Sequence, residues 1–392
     1  MIIFHDLPKC RKMNRIIFLK NAVSIILIMF LSFMESYPQE QVEHPTLAPG
    51  QIAPEFNLPG TDGKNHSLND FKNNQILVVI FTCDHCPTAQ SYEDRIIQLV
   101  NDYSPKGVGF VAISPNDPQA VRPDELGYTD LGDGLEDMKI RAAYKKFNFP
   151  YLYDGETQET ARKYGPVATP HVFIFDKDRK LRYVGRIDDS EEGVHPGTKQ
   201  DTRNALDEML AGKPVSVPQT KTFGCSIKWA EKRDWAKRFY DDLYKEEVII
   251  DTIGIKAIEK LIGNESDKLS MINVWASWCG PCVAEFPEIM KINQMYRHRA
   301  FELVTISADN PAKKDNVLEF LKKNHASNRN YLYNSKDMYA LIEAVDKNWQ
   351  GGIPYTLLIK PGGEKIYAHQ GTIDPLELKR IIVGFLGRAK DW

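Results

Sequence analysis

The sequence predicts an α/β protein with two domains, each a central sheet with parallel strands flanked by helices. The chain has 392 residues, and because a domain takes about 150 residues on average, two or three domains are expected. Each half alternates apolar, β-branched runs with segments of helical period, which is typical of α/β folds. Each half also carries a C-x-x-C pair where a strand gives way to a helix. This repeated order indicates a diverged duplication of one fold.

The first domain is predicted over residues 45–229. Its central strand, Ile76–Phe81, is continuously apolar and ends just before Cys83, and helical spacing follows over 89–100. The remaining predicted elements are strands at 108–114 and 171–176, a less buried partner strand at 180–186, and a helix from Leu135. Residues 115–134 are rich in Pro, Asp and Gly and predict a long loop of the kind that is often functional.

A charged segment over residues 230–247 is predicted as a helix that links the two domains. Its apolar residues Trp235, Phe239, Leu243 and Tyr244 recur at helical spacing. We expect these aromatic side chains to dock on a neighbouring domain.

The second domain is predicted over residues 248–392 and repeats the plan of the first. Its predicted strands cover 268–275, 301–308, 355–360 and 365–369, and its predicted helices cover 281–297, 314–323 and 374–386. The last two strands form a hairpin through Pro361, Gly362 and Gly363. Pro375 marks the first turn of the last helix.

Composition and charge exclude several classes of protein. Hydrophobic residues make up 42% and charged residues 26% of the chain, close to globular averages, which excludes a disordered or collagen-like chain. Lys and Arg number 50 against 53 Asp and Glu, without a basic stripe. Nucleic acid is therefore not an expected partner, because its binding needs clustered positive charge.

The first 37 residues predict a signal peptide. Five basic residues between positions 9 and 20 precede an apolar run of thirteen residues at 22–34, and small or polar residues follow. This run is shorter than the roughly 20 residues that span a bilayer, which favours cleavage. We expect an exported protein of the periplasm or cell envelope, with membrane contact only through this segment if it stays uncleaved.

The cysteines predict redox chemistry. Cys10 leaves with the signal segment, and four of the five others form two C-x-x-C pairs far apart in the chain. A disulfide-stapled scaffold would instead be short and rich in cysteine. Cys225 is left over, and two interpretations remain open: a small buried residue, which its type favours, or an auxiliary resolving thiol.

Cys279 and Cys282 are the predicted catalytic pair of the second domain. Cys279 stands where a strand ends and a helix begins, so the helix dipole favours its thiolate. Cys282 follows one helical turn later, from where it can attack the mixed disulfide that Cys279 forms with a substrate. Cys279 is therefore predicted to attack and Cys282 to resolve.

The run W-A-S-W-C-G-P-C-V-A-E-F-P, residues 275–287, resembles thioredoxin-fold oxidoreductases, most closely the exported TlpA-like group. Asn273 stands where cytosolic thioredoxins carry a buried aspartate, whereas Glu285 matches the glutamate of the envelope group. The resemblance implies that Glu285 raises thiol pKa values and assists proton transfer to Cys282. An exposed glutamate in the first helical turn, favoured by the dipole, is the other interpretation.

The resemblance also implies substrate-binding residues beside the sulfurs. Ile353 and Pro354 precede a strand, as the cis-proline loop does in that family, so their main chain is expected to pair with a bound peptide. Trp278 adjoins Cys279 and is expected to contribute to the substrate surface, as are Thr169 and Pro170 in the first domain.

The first domain resembles the redoxin superfamily, in particular a peroxiredoxin-like subgroup. The segments Ala53–Pro54–Glu55–Phe56 with Leu58, Asp62–Gly63–Lys64 and Ser67–Leu68 resemble the opening hairpin of the superfamily. The subgroup is similar in Cys83–Asp84–His85–Cys86–Pro87, Tyr151–Leu152–Tyr153–Asp154, Thr169–Pro170, Gly185–Arg186–Ile187–Asp188–Asp189 and the run 224–229 (G-C-S-I-K-W). Peroxiredoxins carry a threonine three residues before the reactive cysteine, but here Ile80 precedes Cys83 and Cys83 precedes Cys86 by that spacing. Weak or absent peroxide turnover is therefore expected.

His85 distinguishes the first C-x-x-C pair from the second. A protonated His85 stabilises a thiolate, while Asp84 opposes it by its like charge. A stabilised reduced form makes the couple more oxidising, so we expect electrons to pass from Cys279 and Cys282 to Cys83 and Cys86.

Paired cysteines also occur in zinc sites, haem attachment sites and copper-binding modules. A zinc site needs all four sulfurs in one tetrahedron, yet each pair belongs to its own domain. Haem attachment needs C-x-x-C-H, but Pro87 and Val283 follow the pairs. Thiolate pairs can hold Cu(I), which leaves a non-enzymatic copper-binding or redox-partner module as an alternative, without nearby Met-rich or His-rich tracts to support it.

The sequence thus predicts an exported thiol-disulfide oxidoreductase with two thioredoxin-like domains and no metal or other cofactor. Its expected partners are disulfide-containing envelope proteins and a thiol-redox partner. A peroxiredoxin-like thiol peroxidase is the alternative enzyme.

Overall fold

The computed structural model describes residues 44–388; the predicted signal segment and Cys10 lie outside this range. Residues from Pro45 onward form one compact unit that holds two central sheets. No helix in the part of the chain that the structure describes is both long enough and apolar enough to cross a membrane.

The first domain is built around a five-stranded mixed sheet of order β5-β4-β3-β7-β8, in which β3, β4 and β5 are parallel, β7 is antiparallel to β3, and β8 is antiparallel to β7. Its strands are β1 (Asn57–Pro59), β2 (Asn65–Ser67), β3 (Ile76–Phe81), β4 (Val108–Ser114), β5 (Tyr151–Tyr153), β6 (Ala168–Thr169), β7 (His171–Phe175), β8 (Leu181–Gly185) and β9 (Cys225–Ser226). Its helices are α1 (Pro87–Tyr103), α2 (Leu135–Lys145), α3 (Glu159–Tyr164) and α4 (Asp201–Leu210). The pairs β1–β2 and β6–β9 are separate two-stranded ladders.

Strand β3 is buried on both faces because its apolar side chains alternate between two cores. Leu77, Val79 and Phe81 pack toward α3 and the β1–β2 hairpin, whereas Ile76, Val78 and Ile80 pack toward α1 and α4. Strand β8 was predicted to be less buried, and this is wrong. Four of its five residues are buried, because Leu181 and Val184 join the first core and Tyr183 the second.

The segment 115–134 and the linker are more ordered than an irregular loop. Residues 115–134 contain two 3-10 turns, Pro118–Ala120 and Pro123–Tyr128. The linker forms a 3-10 turn and helix α5 (Arg233–Leu243). The expected docking of its aromatic residues is confirmed, because the Arg122 guanidinium lies 4.0 Å over the Trp235 ring and Tyr244 stacks on His325 with ring centroids 4.1 Å apart.

The second domain has a six-stranded mixed sheet of order β10-β13-β12-β11-β14-β15. Its strands are β10 (Asp251–Ile253), β11 (Leu269–Trp275), β12 (Phe301–Ser307), β13 (Arg329–Tyr333), β14 (Tyr355–Ile359) and β15 (Lys365–Gln370). Its helices are α6 (Ile255–Gly263), α7 (Gly280–Tyr296), α8 (Lys314–Lys323), α9 (Met338–Val345) and α10 (Pro375–Leu386). Helices α7, α8 and α10 cover one face and α6 and α9 the other, which confirms the predicted thioredoxin-like class.

The two domains pack against each other through the C-terminal end of α7. This helix lies on the 3-10 turn Pro123–Tyr128, where the Tyr296 hydroxyl donates a hydrogen bond to the Thr129 carbonyl at 2.8 Å. A Cβ atom at Gly127 would collide with the His298 ring and the Met295 carbonyl, so only glycine permits this approach. Arg388 pairs with the buried Asp130 at 2.7 Å across the same contact.

Candidate redox sites

The two C-x-x-C pairs do not occupy equivalent positions. Phe81 pairs with the residue that follows Pro170, and Val274 pairs with the residue that follows Pro354. Cys86 stands five residues after Phe81, and Cys279 stands five residues after Val274. Cys86 is therefore the counterpart of Cys279, and Cys83 lies one turn earlier, where the second domain has Ala276. The expectation that both pairs follow the same plan is corrected by this shift of three residues.

Cys86 and Cys279 are each the residue that caps a helix N-terminus. The Cys86 sulfur accepts a hydrogen bond from the Ala89 N–H at 3.4 Å, and the Cys279 sulfur accepts one from the Cys282 N–H at 3.2 Å. Because the helix dipole and these N–H groups favour negative charge, both positions suit a thiolate.

Each capping sulfur lies beside the carbonyl that precedes a cis-proline. The Cys86 sulfur is 3.6 Å from the Thr169 oxygen and the Cys279 sulfur is 3.6 Å from the Ile353 oxygen. Both Thr169–Pro170 and Ile353–Pro354 are cis, which confirms the expectation for Pro354. The structure thus brings the four predicted substrate-binding residues of these loops next to the sulfurs.

The second site carries a disulfide bond between Cys279 and Cys282. Cys282 is buried inside the helix, whereas Cys279 is 6% exposed and the neighbouring Trp278 is 65% exposed. Trp275 is buried in the core. An apolar surface on Trp278 therefore flanks the accessible sulfur of the pair.

Glu285 is buried behind the second pair, with 7% of the residue exposed. The interpretation of Glu285 as an exposed first-turn residue is wrong, because α7 turns it toward Asn273 and the chain before α10. Asn273 Nδ2 donates to Oε1 at 3.4 Å and the Ile373 N–H donates to Oε2 at 3.0 Å. Burial raises the pKa of Glu285 although these hydrogen bonds oppose it. Three residues separate it from Cys282, so both lie on one face of α7.

The first site has no counterpart of Cys282 on its helix, where Ala89 stands instead. Cys83 lies on the incoming chain, and its sulfur is 3.2 Å from Thr169 Oγ1. Burial, the neighbouring Cys86 and the Asp133 charge raise the pKa of the Cys83 thiol well above its usual range. Although burial opposes it, hydrogen bonds from Cys225 and Cys83 and the His85 charge hold the pKa of Cys86 well below its usual range.

Asp133 holds the positive charge on His85. Its Oδ2 lies 2.5 Å from His85 Nδ1, and its Oδ1 accepts hydrogen bonds from the N–H groups of Asp84 and His85, each at 2.9 Å. Burial disfavours the charged ring, but the Asp133 carboxylate prevails and raises the pKa of His85. Asp133 was missed from the sequence, although it lies in the Asp-rich segment 115–134 that was predicted to be functional.

Asp84 does not oppose the thiolate as expected from its charge. It is buried, and Tyr151 donates a hydrogen bond to its Oδ1 at 3.0 Å. Burial raises the pKa of Asp84 well above its usual range, so the carboxyl group favours its neutral form.

One group of side chains has the composition of a partial metal site. Ligand atoms of Cys83, His85 and Asp133 lie within 4.8 Å of one another. When His85 Nδ1 donates its hydrogen to Asp133 Oδ2, this nitrogen has no lone pair left for an ion. The arrangement is therefore that of an ion pair beside a thiol.

The structure does not bring the two pairs together. Cys279 stands before the first residue of α7, and Tyr296, which contacts the first domain, is its last. Seventeen residues separate these ends by about 25 Å at 1.5 Å per residue. The first pair lies near the contact, because the Thr129 hydroxyl donates to the Asp84 carbonyl at 3.3 Å.

Comparison with known proteins finds two families along the chain. Residues 49–184 match the AhpC/TSA family and residues 263–379 match the Redoxin family. A protein provisionally named a peroxiredoxin from Mycobacterium tuberculosis is 26% identical over 137 residues, which are 34% of this chain and 82% of that protein. The thiol-disulfide oxidoreductase ResA of Oceanobacillus iheyensis is 29% identical over 147 residues, 37% of this chain and 68% of that protein. The crystal structure of an uncharacterised conserved protein from Geobacillus kaustophilus is 42% identical in sequence and covers 46% of this chain and 92% of its own, with a TM-score of 0.42.

Proposed function

Because the chain combines an AhpC/TSA domain with a Redoxin domain, both of the thioredoxin fold and both from redox families, we propose that it is an exported thiol-disulfide oxidoreductase that acts on protein disulfides. The observation that carries the proposal is the Cys279–Cys282 disulfide, whose outer sulfur lies at a helix N-terminus beside the Ile353 carbonyl.

The second site reduces a substrate disulfide in two exchange steps. The Cys279 thiolate attacks one substrate sulfur, forms a mixed disulfide and releases the other substrate sulfur as a thiolate. Cys282 then attacks Cys279 and releases the second substrate thiolate, which leaves the Cys279–Cys282 disulfide. A thiol-redox partner supplies the two electrons that restore both thiols.

The surroundings of the second pair fit an extended peptide as substrate. A peptide that lies along the cis-proline loop pairs with the main chain of Ile353, and its apolar side chains rest on the exposed Trp278 ring. Glu285 accepts the proton that Cys282 loses on attack, and burial, which raises the pKa of this carboxyl group, favours the proton-bearing form.

Export and the partners are parts of the same proposal. The basic and apolar segment at the N-terminus supports export to the periplasm or cell envelope. The substrates are then disulfide-containing proteins of the envelope.

A peroxiredoxin-like activity at Cys86 is the second candidate function. The match of residues 49–184 to the AhpC/TSA family and the lowered pKa of Cys86 favour it. Cys83 stands three residues before Cys86, where peroxiredoxins carry a threonine, and Thr169 Oγ1 lies beside the Cys83 sulfur instead. We therefore propose weak peroxide turnover, which rapid, Cys86-dependent consumption of hydrogen peroxide would contradict.

The test of the main proposal is a disulfide reduction assay on the full chain with insulin as substrate. Cys279→Ser is expected to abolish reduction, and Cys282→Ser to accumulate a mixed disulfide on Cys279 that mass spectrometry identifies. Cys86→Ser is the matched control, because it alters the equivalent residue of the other domain. Full insulin reduction by the Cys279→Ser chain would overturn the proposal.

A further inference from the structure

Three thiols meet around Thr169 in the first domain. Cys83 lies beside the Thr169 hydroxyl and Cys86 beside its carbonyl. Cys225 packs against the same cluster and is half-buried, whereas Cys83 and Cys86 are buried. Of the three, Cys225 has the best access to solvent.

Cys225 is held at this place by several fixed contacts. Strand β9 pairs with β6 so that Cys225 lies directly opposite Thr169. A Cβ atom at Gly224 would collide with the Thr169 carbonyl, and the φ of +135° at this residue is one that other residues rarely adopt. On the two sides of Cys225, Thr222 Oγ1 donates to the Pro170 carbonyl at 3.0 Å and the Lys228 N–H donates to Asn116 at 2.9 Å.

Cys86 and Cys83 belong to one buried cluster, and Cys225 packs against it. The neighbouring thiols of Cys225 and Cys83 lower the pKa of Cys86, so Cys86 is the sulfur that favours its thiolate. After Cys86 has attacked a disulfide, the thiol that resolves the mixed disulfide must itself lose a proton. Cys83 is poorly suited to this step, since full burial and the nearby Asp133 charge disfavour its thiolate. Cys225 is half-buried and therefore more accessible than Cys83 to water, which can take up its proton.

We propose that Cys225, and not Cys83, is the resolving cysteine of Cys86, so that the first domain cycles through a Cys86–Cys225 disulfide. The Cys86 thiolate attacks a disulfide R–S–S–R′, forms Cys86–S–S–R and releases R′S⁻. Cys225 gives its proton to water, attacks the Cys86 sulfur and releases RS⁻, so two electrons pass from the two cysteines to R–S–S–R′. The inference rests on thiol exchange at Cys86 but not on the reductase role of Cys279.

In this scheme Cys83 is a positioning residue. It remains a thiol throughout the cycle and donates a hydrogen bond that stabilises the Cys86 thiolate. Its loss should therefore raise the pH at which Cys86 becomes reactive without preventing disulfide formation.

The test uses the full chain with Cys10, Cys279 and Cys282 replaced by serine, so that only the three clustered thiols remain. One equivalent of an aromatic disulfide, 5,5′-dithiobis(2-nitrobenzoate), is added and the coloured thiolate is measured. The parent and its Cys83→Ser variant should release two thiolates per reagent molecule, and peptide mapping should find Cys86 joined to Cys225. In Cys225→Ser the second release should slow by at least about tenfold, and the adduct should persist on Cys86.

Two results would overturn the inference. One is a Cys225→Ser chain that releases both thiolates as fast as the parent does, with peptide mapping that finds Cys83 joined to Cys86. The other is a Cys83→Ser chain that stops after the first release. A parent in which none of the three thiols reacts would contradict exchange chemistry in the first domain. The proposed function is tested separately, by insulin reduction with the chain that keeps Cys279 and Cys282. Gly224→Ala, which displaces β9 but keeps all thiols, is expected to slow only the second release.

Discussion

Replacing Asp133 by asparagine removes the charge that keeps His85 protonated beside Cys86. Asn retains one oxygen for the backbone N–H groups of Asp84 and His85, but it presents no negative charge to the imidazole. Burial then lowers the pKa of His85 against the neighbouring Cys86 charge alone. The pKa of His85 therefore falls, and Cys86 loses positive charge that favours its thiolate.

The size of the effect follows from the loss of the positive charge on His85, partly offset by the loss of the negative charge on Asp133. An opposite charge within about 4–6 Å shifts a pKa by about 1–3 units. Because hydrogen bonds from Cys83 and Cys225 and the Ala89 N–H remain, we expect the lower part of this range, an increase of about 1–2 units at Cys86. At about 1.4 kcal/mol per unit, this costs the thiolate roughly 1.4–3 kcal/mol.

The assay is the pH dependence of alkylation by iodoacetamide, followed at the Cys86 peptide by mass spectrometry. In Asp133→Asn the midpoint should move to higher pH by the expected 1–2 units, while the maximal rate at high pH stays that of the parent. Asp154→Asn serves as the matched control, since Asp154 is a buried aspartate that caps α3 by accepting from the Ala161 N–H. An unchanged midpoint in a folded Asp133→Asn chain would refute the role of the ion pair.

Three further predictions concern the second site, pH stability and electron transfer. Glu285→Gln should slow resolution of the Cys279 mixed disulfide by about a hundredfold, the low end for a lost general base, with a flattened pH profile; a profile and rate like those of the parent would contradict the proton transfer. Burial lowers the pKa of His171 to about 4. The neutral ring therefore contributes fully to the free energy of unfolding above the unfolded pKa of about 6.5, and this contribution, about 3 kcal/mol, is lost as the pH falls toward 4. His171→Asn keeps an acceptor for the Val167 N–H and should remove that part of the pH dependence of urea unfolding. Electron transfer from the second pair to the first should speed up in proportion to protein concentration, because about 25 Å of helix α7 separates the pairs in one molecule; a rate independent of concentration, followed by thiol labelling, would contradict transfer between molecules.

The second site was predictable because its parts are local in the sequence. The strand, the reactive cysteine and the helix that ends at Tyr296 follow one another within about thirty residues, and the C-G-P-C run is highly specific. Elements such as β10 and α9 were missed because they have three and eight residues, too few to show a clear hydrophobic period.

Residues that reach the first site from far along the chain were not predictable in their roles. Cys225 was favoured as a buried residue, whereas the structure leaves it half-buried against the reactive thiols. Its position depends on the pairing of β6 with β9, which joins residues 56 positions apart through a two-residue ladder. Asp133 likewise meets His85 across 48 positions. Short ladders and single ion pairs of this kind leave no periodic signal in one sequence.

The shift of three residues between the two C-x-x-C pairs decides where each reactive cysteine finds its partner. In the second domain the capping cysteine has its partner on the next turn of the helix, so exchange is complete within α7. In the first domain the motif ends at the cap, and Ala89 occupies that next turn. The partner on the incoming chain, Cys83, is buried beside a negative charge that disfavours its thiolate. A resolving thiol must then come from outside the motif, and strand β9 packs the half-buried Cys225 against the cluster that contains Cys86.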